Sequence, residues 1–208
     1  MMLSKAMHLL VSLNRRIRLS RWIPLPLMQG IRGRAMRHLV EKLPDRVYLE
    51  QQILPCFARQ PWKKILFVGC ESFTQHYGRQ FANGSIEFWT ADIKPASAIW
   101  GEPGRHLTCD VCKLDQYCSH QDFDAILLNG VFGFGVNSMN DMEAAIRAIH
   151  RVLKPSGLLL LGWNRDLIPD PCELESVQQG FRHETSLALA VRTTFVEVTH
   201  TFDFLTAR

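Results

Sequence analysis

Three features of the chain predict an α/β fold, with helices on both faces of a mostly parallel sheet. Beyond Pro61, short apolar runs alternate with helical patterns, the order expected of strand–helix–strand units. The runs "AILL" (125–128) and "LLLL" (158–161) are continuous rather than alternating, as in strands covered on both sides. Between them Met142, Ile146, Ile149 and Leu153 recur at helical spacing, marking one buried face of a connecting helix.

The elements follow in order. Leu3, Met7, Leu10 and Val11 are spaced for an amphipathic helix ending before Pro24. A second helix carries Leu27, Ile31, Ala35, Leu39 and Leu43 on one face. A third follows Pro44 with Asp45 as N-cap and stops by Pro61. Residues 1–60 thus form a basic helical N-terminal extension, and residues 61–208 the α/β domain. Strands are expected at Ile65–Val68, Ile86–Thr90, His106–Thr108, Phe123–Leu128 and Leu158–Gly162. Ser138 with Asp141 three residues on starts the long helix as a capping box. "KPSG" (154–157) ends it, because Pro155 has no N–H for the ladder. Residues 187–206 are β-rich and supply two closing strands, with Leu187–Val191 unassigned.

Charge is unevenly spread along the 208 residues. Residues 1–46 hold ten Lys/Arg against Glu41 and Asp45, a balance of +8, so the rest carries −4 of the net +4. Such a basic front suits a lid, a solvated face, or contact with an anionic membrane surface. Aromatic residues for base stacking are sparse there, so nucleic acid is not expected as a partner. Six unevenly spaced cysteines do not read as a secreted disulfide framework, and the chain is expected to be cytoplasmic. The apolar stretch Ala6–Leu13 lacks a small-residue cleavage site and is followed by Arg15, Arg16 and Arg18, unlike a secretory signal. His106, Cys109, Cys112, Cys118 and His120 contain one C-x₂-C pair, too little for a four-ligand zinc site.

Ligands of an open α/β sheet sit beyond the carboxyl ends of its strands. The candidate binding residues are therefore Val68, Gly69, Cys70 and Glu71 after the first strand, Asp92 and Ile93 after the second, Asp110 and Val111 after the third, and Asn129 and Gly130 after the fourth. Asp92 lies roughly 20 residues beyond the glycine turn, where a carboxylate accepts from ribose hydroxyls. Ile93 is placed to lie on an adenine face, and Asp110 to accept from its amino group. Asn129, His76, Tyr77 and Asn137 are candidates to face a second substrate.

In the order "ILFVGC", "WTADIKP", "LTCDV", "FDAILLNG" and "IHRVLKPSGLLLLG", residues 63–164 resemble the class I S-adenosylmethionine-dependent methyltransferases. "NGVFGFGVN" and "LLLLGWN" further resemble a bacterial methyltransferase-like subgroup. The resemblance implies a Rossmann-like, seven-stranded sheet whose last strand is antiparallel, and S-adenosylmethionine as cofactor. It implies Gly69 beside the methionine portion, Asp92 on the ribose and Asp110 on the adenine; the leading expectation for the acceptor is a small molecule or glycan-like group. Phe67 stands where that family usually has an acid, and Glu71 and Phe73 where it has glycines. Glu71 is expected to replace the missing carboxylate. The alternative is a non-catalytic binding or scaffold protein of the same fold with a degenerate pocket.

Overall fold

The computed structural model describes residues 42–82 and 84–208. The first expected helix and the second as far as Glu41, with the lid and membrane roles drawn from them, lie outside the described residues; Leu43, expected on the second helix, is extended. The sheet comprises β1 (Lys64–Val68), β2 (Glu87–Asp92), β3 (His106–Thr108), β4 (Phe123–Asn129), β5 (Leu153–Asn164), β6 (Phe181–His183), β7 (Arg192–Thr194) and β8 (His200–Ala207). Its order is β3-β2-β1-β4-β5-β8-β6, with β7 also paired to β8. The first five strands are parallel neighbours, and β8 runs antiparallel between β5 and the outer pair.

The fold class holds, but the strands number eight rather than seven. β6 pairs with 205–207 of β8 and β7 with 201–203, along one edge. Glu184 N donates to Phe204 O, and Phe204 N donates to Val191 O. One edge strand is thus interrupted by an excursion of residues 185–190, whose Leu187 and Leu189 pack back onto the core. Leu187–Val191 is therefore no strand, and most of "TTFVEVTH" is loop beyond Thr194.

Strand alternation sorts the core into two layers. Leu66, Val68, Ile126, Leu128, Leu159 and Leu161 face α3 (Met139–Val152). Ile65, Phe67, Ala125, Leu127, Leu158 and Leu160 face the N-terminal helical segment. Ser138 caps α3, accepting from Asp141 N at 3.1 Å. β5 begins immediately after it at Leu153, earlier than expected, and Ser156 takes φ +59° where the register shifts.

The N-terminal segment consists of α1 (Pro44–Tyr48), a π-helical turn (Leu49–Ile53) and α2 (Leu54–Ala58). Pro55 cannot donate and its ring crowds the preceding turn, and the widened π-turn accommodates it. Leu43, not Asp45, is the N-cap; Asp45 sits in the first turn with its side chain buried. The crossovers after β1 and β2 carry short 3₁₀ helices, Tyr77–Phe81 and Pro95–Trp100. Among the described residues, no helix is long and apolar enough to cross a membrane.

Candidate functional site

Strand order reverses between β1 and β4, and a cleft of about 1440 Å³ opens beyond the carboxyl ends there. That exceeds the roughly 300–1,000 Å³ typical of one small-ligand pocket, leaving room for two molecules side by side. Of the ten predicted binding residues, nine line it: Val68, Gly69, Glu71, Asp92, Ile93, Asp110, Val111, Asn129 and Gly130. Cys70 is fully buried behind the turn. Burial, then the charge of Asp92, pushes its thiol up to about 12, so it acts through its backbone alone.

Gly69 is required twice over. Its φ is +99°, and a Cβ there would stand 3.1 Å from Asn129 O and 3.3 Å from Val131 Cγ2. The residues after it dispense with further glycines because Thr74 closes the turn. Its hydroxyl accepts from Glu71 N at 3.0 Å and donates to Glu71 O at 2.9 Å. Phe73 lines the cleft beneath the Arg46 guanidinium, 4.9 Å from its ring centroid. Phe67 packs edge-on against Tyr77 and stacks with Phe88, so it is part of an aromatic layer.

Asp92 is held by backbone donors. Oδ2 accepts from Cys70 N at 2.9 Å and Oδ1 from Lys94 N at 2.8 Å. Each oxygen keeps a second lone pair, so a rigid two-point acceptor faces the cleft. Asp110 caps the 3₁₀ turn Val111–Gln116 by accepting from Cys112 N at 2.9 Å. Burial raises the Glu71 carboxyl above its ordinary range, with Lys94 opposing and Asp92 reinforcing the shift. Lys94 Nζ stands 4.0 Å from it.

The other end of the cleft was not legible from strand-end motifs. His200, Asn164, Arg165, Thr199 and Asp166 line it together with Asn129. One guanidinium, Arg165, donates to Phe195 O, Val198 O, His200 O and Thr201 Oγ1, fixing the loop that enters β8. Asp45 and Arg46 reach this cleft from α1. Burial pushes the Asp45 carboxyl up, against the pull of Arg46.

Three of the four acceptor-facing candidates do not line the cleft. Tyr77 is fully buried, and burial raises its phenol to about 12. His76 stands 3.3 Å from Glu50 on the helical segment's side. Asn137 is exposed on the loop before α3. Only Asn129 remains. Elsewhere, Asp170, Cys172 and Asp203 lie close enough to share a cation, but Arg192 already bridges both carboxylates and answers their charge.

Residues 68–161, just under half the chain, match the sequence family described as a methyltransferase domain. No curated protein matches. Similar solved structures include the N-methyltransferase NodS from Bradyrhizobium japonicum WM9 (TM-score 0.61, 14% identity, covering 80% of this chain and 98% of that one). A TehB-like SAM-dependent methyltransferase from Corynebacterium glutamicum gives TM-score 0.57 at 23% identity over 88% of this chain and 97% of that one. A Burkholderia thailandensis 1,6-didemethyltoxoflavin-N1-methyltransferase, solved with its substrate and S-adenosylhomocysteine, gives 0.55 at 16% identity over 92% of each chain. At these identities the solved structures speak to the fold.

Proposed function

We propose that this chain is a class I methyltransferase that transfers the methyl group of S-adenosylmethionine to a small-molecule or glycan-like acceptor, a reading supported by the matched segment. Asp92 carries this reading. A carboxylate locked by two backbone N–H groups at the end of β2 is preorganised to accept from the vicinal hydroxyls of a ribose. Ile93 offers an apolar, exposed side chain to the adenine, and Asp110 an acceptor further along the same rim. Glu71 sits at the turn where Gly69 admits the methionine portion, and its carboxylate attracts the ammonium and sulfonium.

The cofactor supplies an activated methyl group on a good leaving group. The protein's task is then alignment and exclusion of water more than acid–base chemistry. Val131, Phe134, Leu167 and Val196 give the acceptor end apolar walls, while Asn129 offers a polar contact. The lid role is assigned to the basic N-terminal extension on its charge and helical spacing.

Calorimetry with S-adenosylmethionine and S-adenosylhomocysteine tests the reading: both are expected to bind, and failure of both at millimolar concentration would remove it. For the lid, hydrogen exchange within residues 1–41 is expected to slow when S-adenosylhomocysteine is added; unchanged exchange rejects that role.

A further inference from the structure

His200 is the one imidazole lining the cleft among the described residues, and the reading above gives it no task. It opens β8 with 3% of its surface exposed, and both ring nitrogens are engaged. Nδ1 lies 3.0 Å from Asn164 Oδ1, and Nε2 lies 3.0 Å from the atom placed as Asn129 Oδ1. β5 runs between the strands that carry Asn129 and His200, so this contact crosses over Gly162. A Cβ at 162 would overlap the Asn129 amide and come within 3.0 Å of His200 Nε2. Glycine at that position is what lets the two side chains meet.

Hydrogen-bond polarity runs through this group from one fixed end. Asp166 is an acceptor-only carboxylate, and the Thr199 hydroxyl donates to its Oδ1 at 2.6 Å. With its proton committed, Thr199 Oγ1 accepts from Asn164 Nδ2 at 3.0 Å. Asn164 therefore presents its oxygen to His200, and Nδ1 must carry the proton. In a neutral imidazole the other nitrogen is then a lone pair. The ring is neutral: burial, with the guanidiniums of Arg46 and Arg165, presses its pKa down to about 3. A lone pair at Nε2 calls for a donor, and Asn129 has one in its Nδ2–H. Carboxamide nitrogen and oxygen exchange places by a half-turn that moves no other atom.

We infer that His200 is a positioning residue that holds the Asn129 carboxamide with its nitrogen on the imidazole and its oxygen towards the cleft, so that the methyl acceptor is recognised there through an N–H or O–H. The acceptor half of this inference rests on the methyltransferase reading; the orientation of the amide does not. An acceptor N–H or O–H donates to Asn129 Oδ1, which aims the nucleophile's free lone pair at the methyl carbon. The new bond forms as the carbon–sulfur bond breaks, its electron pair staying on sulfur, and the acceptor's proton passes to water. His200 itself takes no proton in this scheme, since both of its nitrogens are occupied and it is a very weak base.

Nitrogen NMR of the full chain labelled in histidine tests the orientation without any ligand. His200 is expected to show a protonated Nδ1 and a lone-pair Nε2 across neutral pH. A protonated Nε2, alone or in a doubly protonated ring, overturns it. Asn129→Asp replaces the donor with an acceptor-only group, so His200 should gain a proton at Nε2; retention of the lone-pair signal there also overturns the inference. Neither signature is moved by a merely structural role. The acceptor class is tested with methyl-labelled S-adenosylmethionine and a panel of amines, alcohols and thioethers. Label on nitrogen or oxygen is expected, and label confined to thioether sulfur contradicts it. Calorimetry with S-adenosylhomocysteine stays an independent readout: its failure removes the methyltransferase reading and leaves the tautomer result standing.

Discussion

On the β1–β2–β3 side of the cleft, carboxylates are held by backbone N–H groups; on the β4–β5–β8 side, amides and an imidazole hold one another. Asp92 and Asp110 belong to the first side, each with its anchor a few residues away or on the adjoining strand turn. Asn129, Asn164 and His200 belong to the second, and Asn129 meets a partner 71 positions away in sequence. Under the proposed function, the contrast matches what each side would bind. A fixed nucleoside is suited by rigid acceptors built into strand ends, because the backbone amides there are already placed. A variable second substrate is suited by side chains, which change without rebuilding the sheet.

If the first side is backbone-built over an aromatic floor, restoring an acid to that floor should be the most damaging change. Phe67→Asp places a carboxylate among Tyr77, Phe81 and Phe88 and removes a buried ring. It is expected to cost about 3–5 kcal/mol, read by denaturant unfolding. A loss below about 1 kcal/mol would mean that the position still tolerates the usual acid.

Gly162→Ala probes the second side alone. It should disrupt the Asn129–His200 contact and cost about 1–3 kcal/mol through overpacking. S-adenosylhomocysteine affinity is expected to stay within about threefold, since a change of that size is well under 1.4 kcal/mol. A larger drop would show the two sides to be one unit.

Glu71→Gln tests the smallest difference. The raised carboxyl of Glu71 means that lowering pH protonates it early, removing an attraction for the sulfonium that S-adenosylhomocysteine lacks. Preference for S-adenosylmethionine over S-adenosylhomocysteine should therefore shrink as pH falls through the Glu71 titration, by about two- to threefold for this half-exposed group. The Gln variant should show the low-pH preference throughout, and a pH-dependent preference in that variant would clear Glu71 of the role.

The same contrast explains how much could be read from the sequence. Apolar runs and the cap at Ser138 located the first five strands and α3, because those signals are local. Nine of the ten candidate binding residues line the cleft because each lies at or just after a strand end. Thr74 escaped notice, although its place three residues after Glu71 is the spacing at which a hydroxyl closes a turn. His200 was invisible for a different reason: its significance depends on β8 lying beside β5 and on the missing side chain of Gly162. His76 and Tyr77 were misdirected because the segment after Gly69 folds as a short 3₁₀ turn into the aromatic layer. The split edge strand was hidden in residues 181–194, where no periodicity distinguishes strand from excursion.

The dissociation constant of S-adenosylhomocysteine for Asp92→Ala against the unsubstituted chain is the most direct test of the account. A carboxylate locked onto two backbone amides at the ribose position predicts at least tenfold weaker binding, about 1.4 kcal/mol, in a variant that remains folded. An unchanged constant would contradict it, because the nucleoside would then lie away from the end of β2.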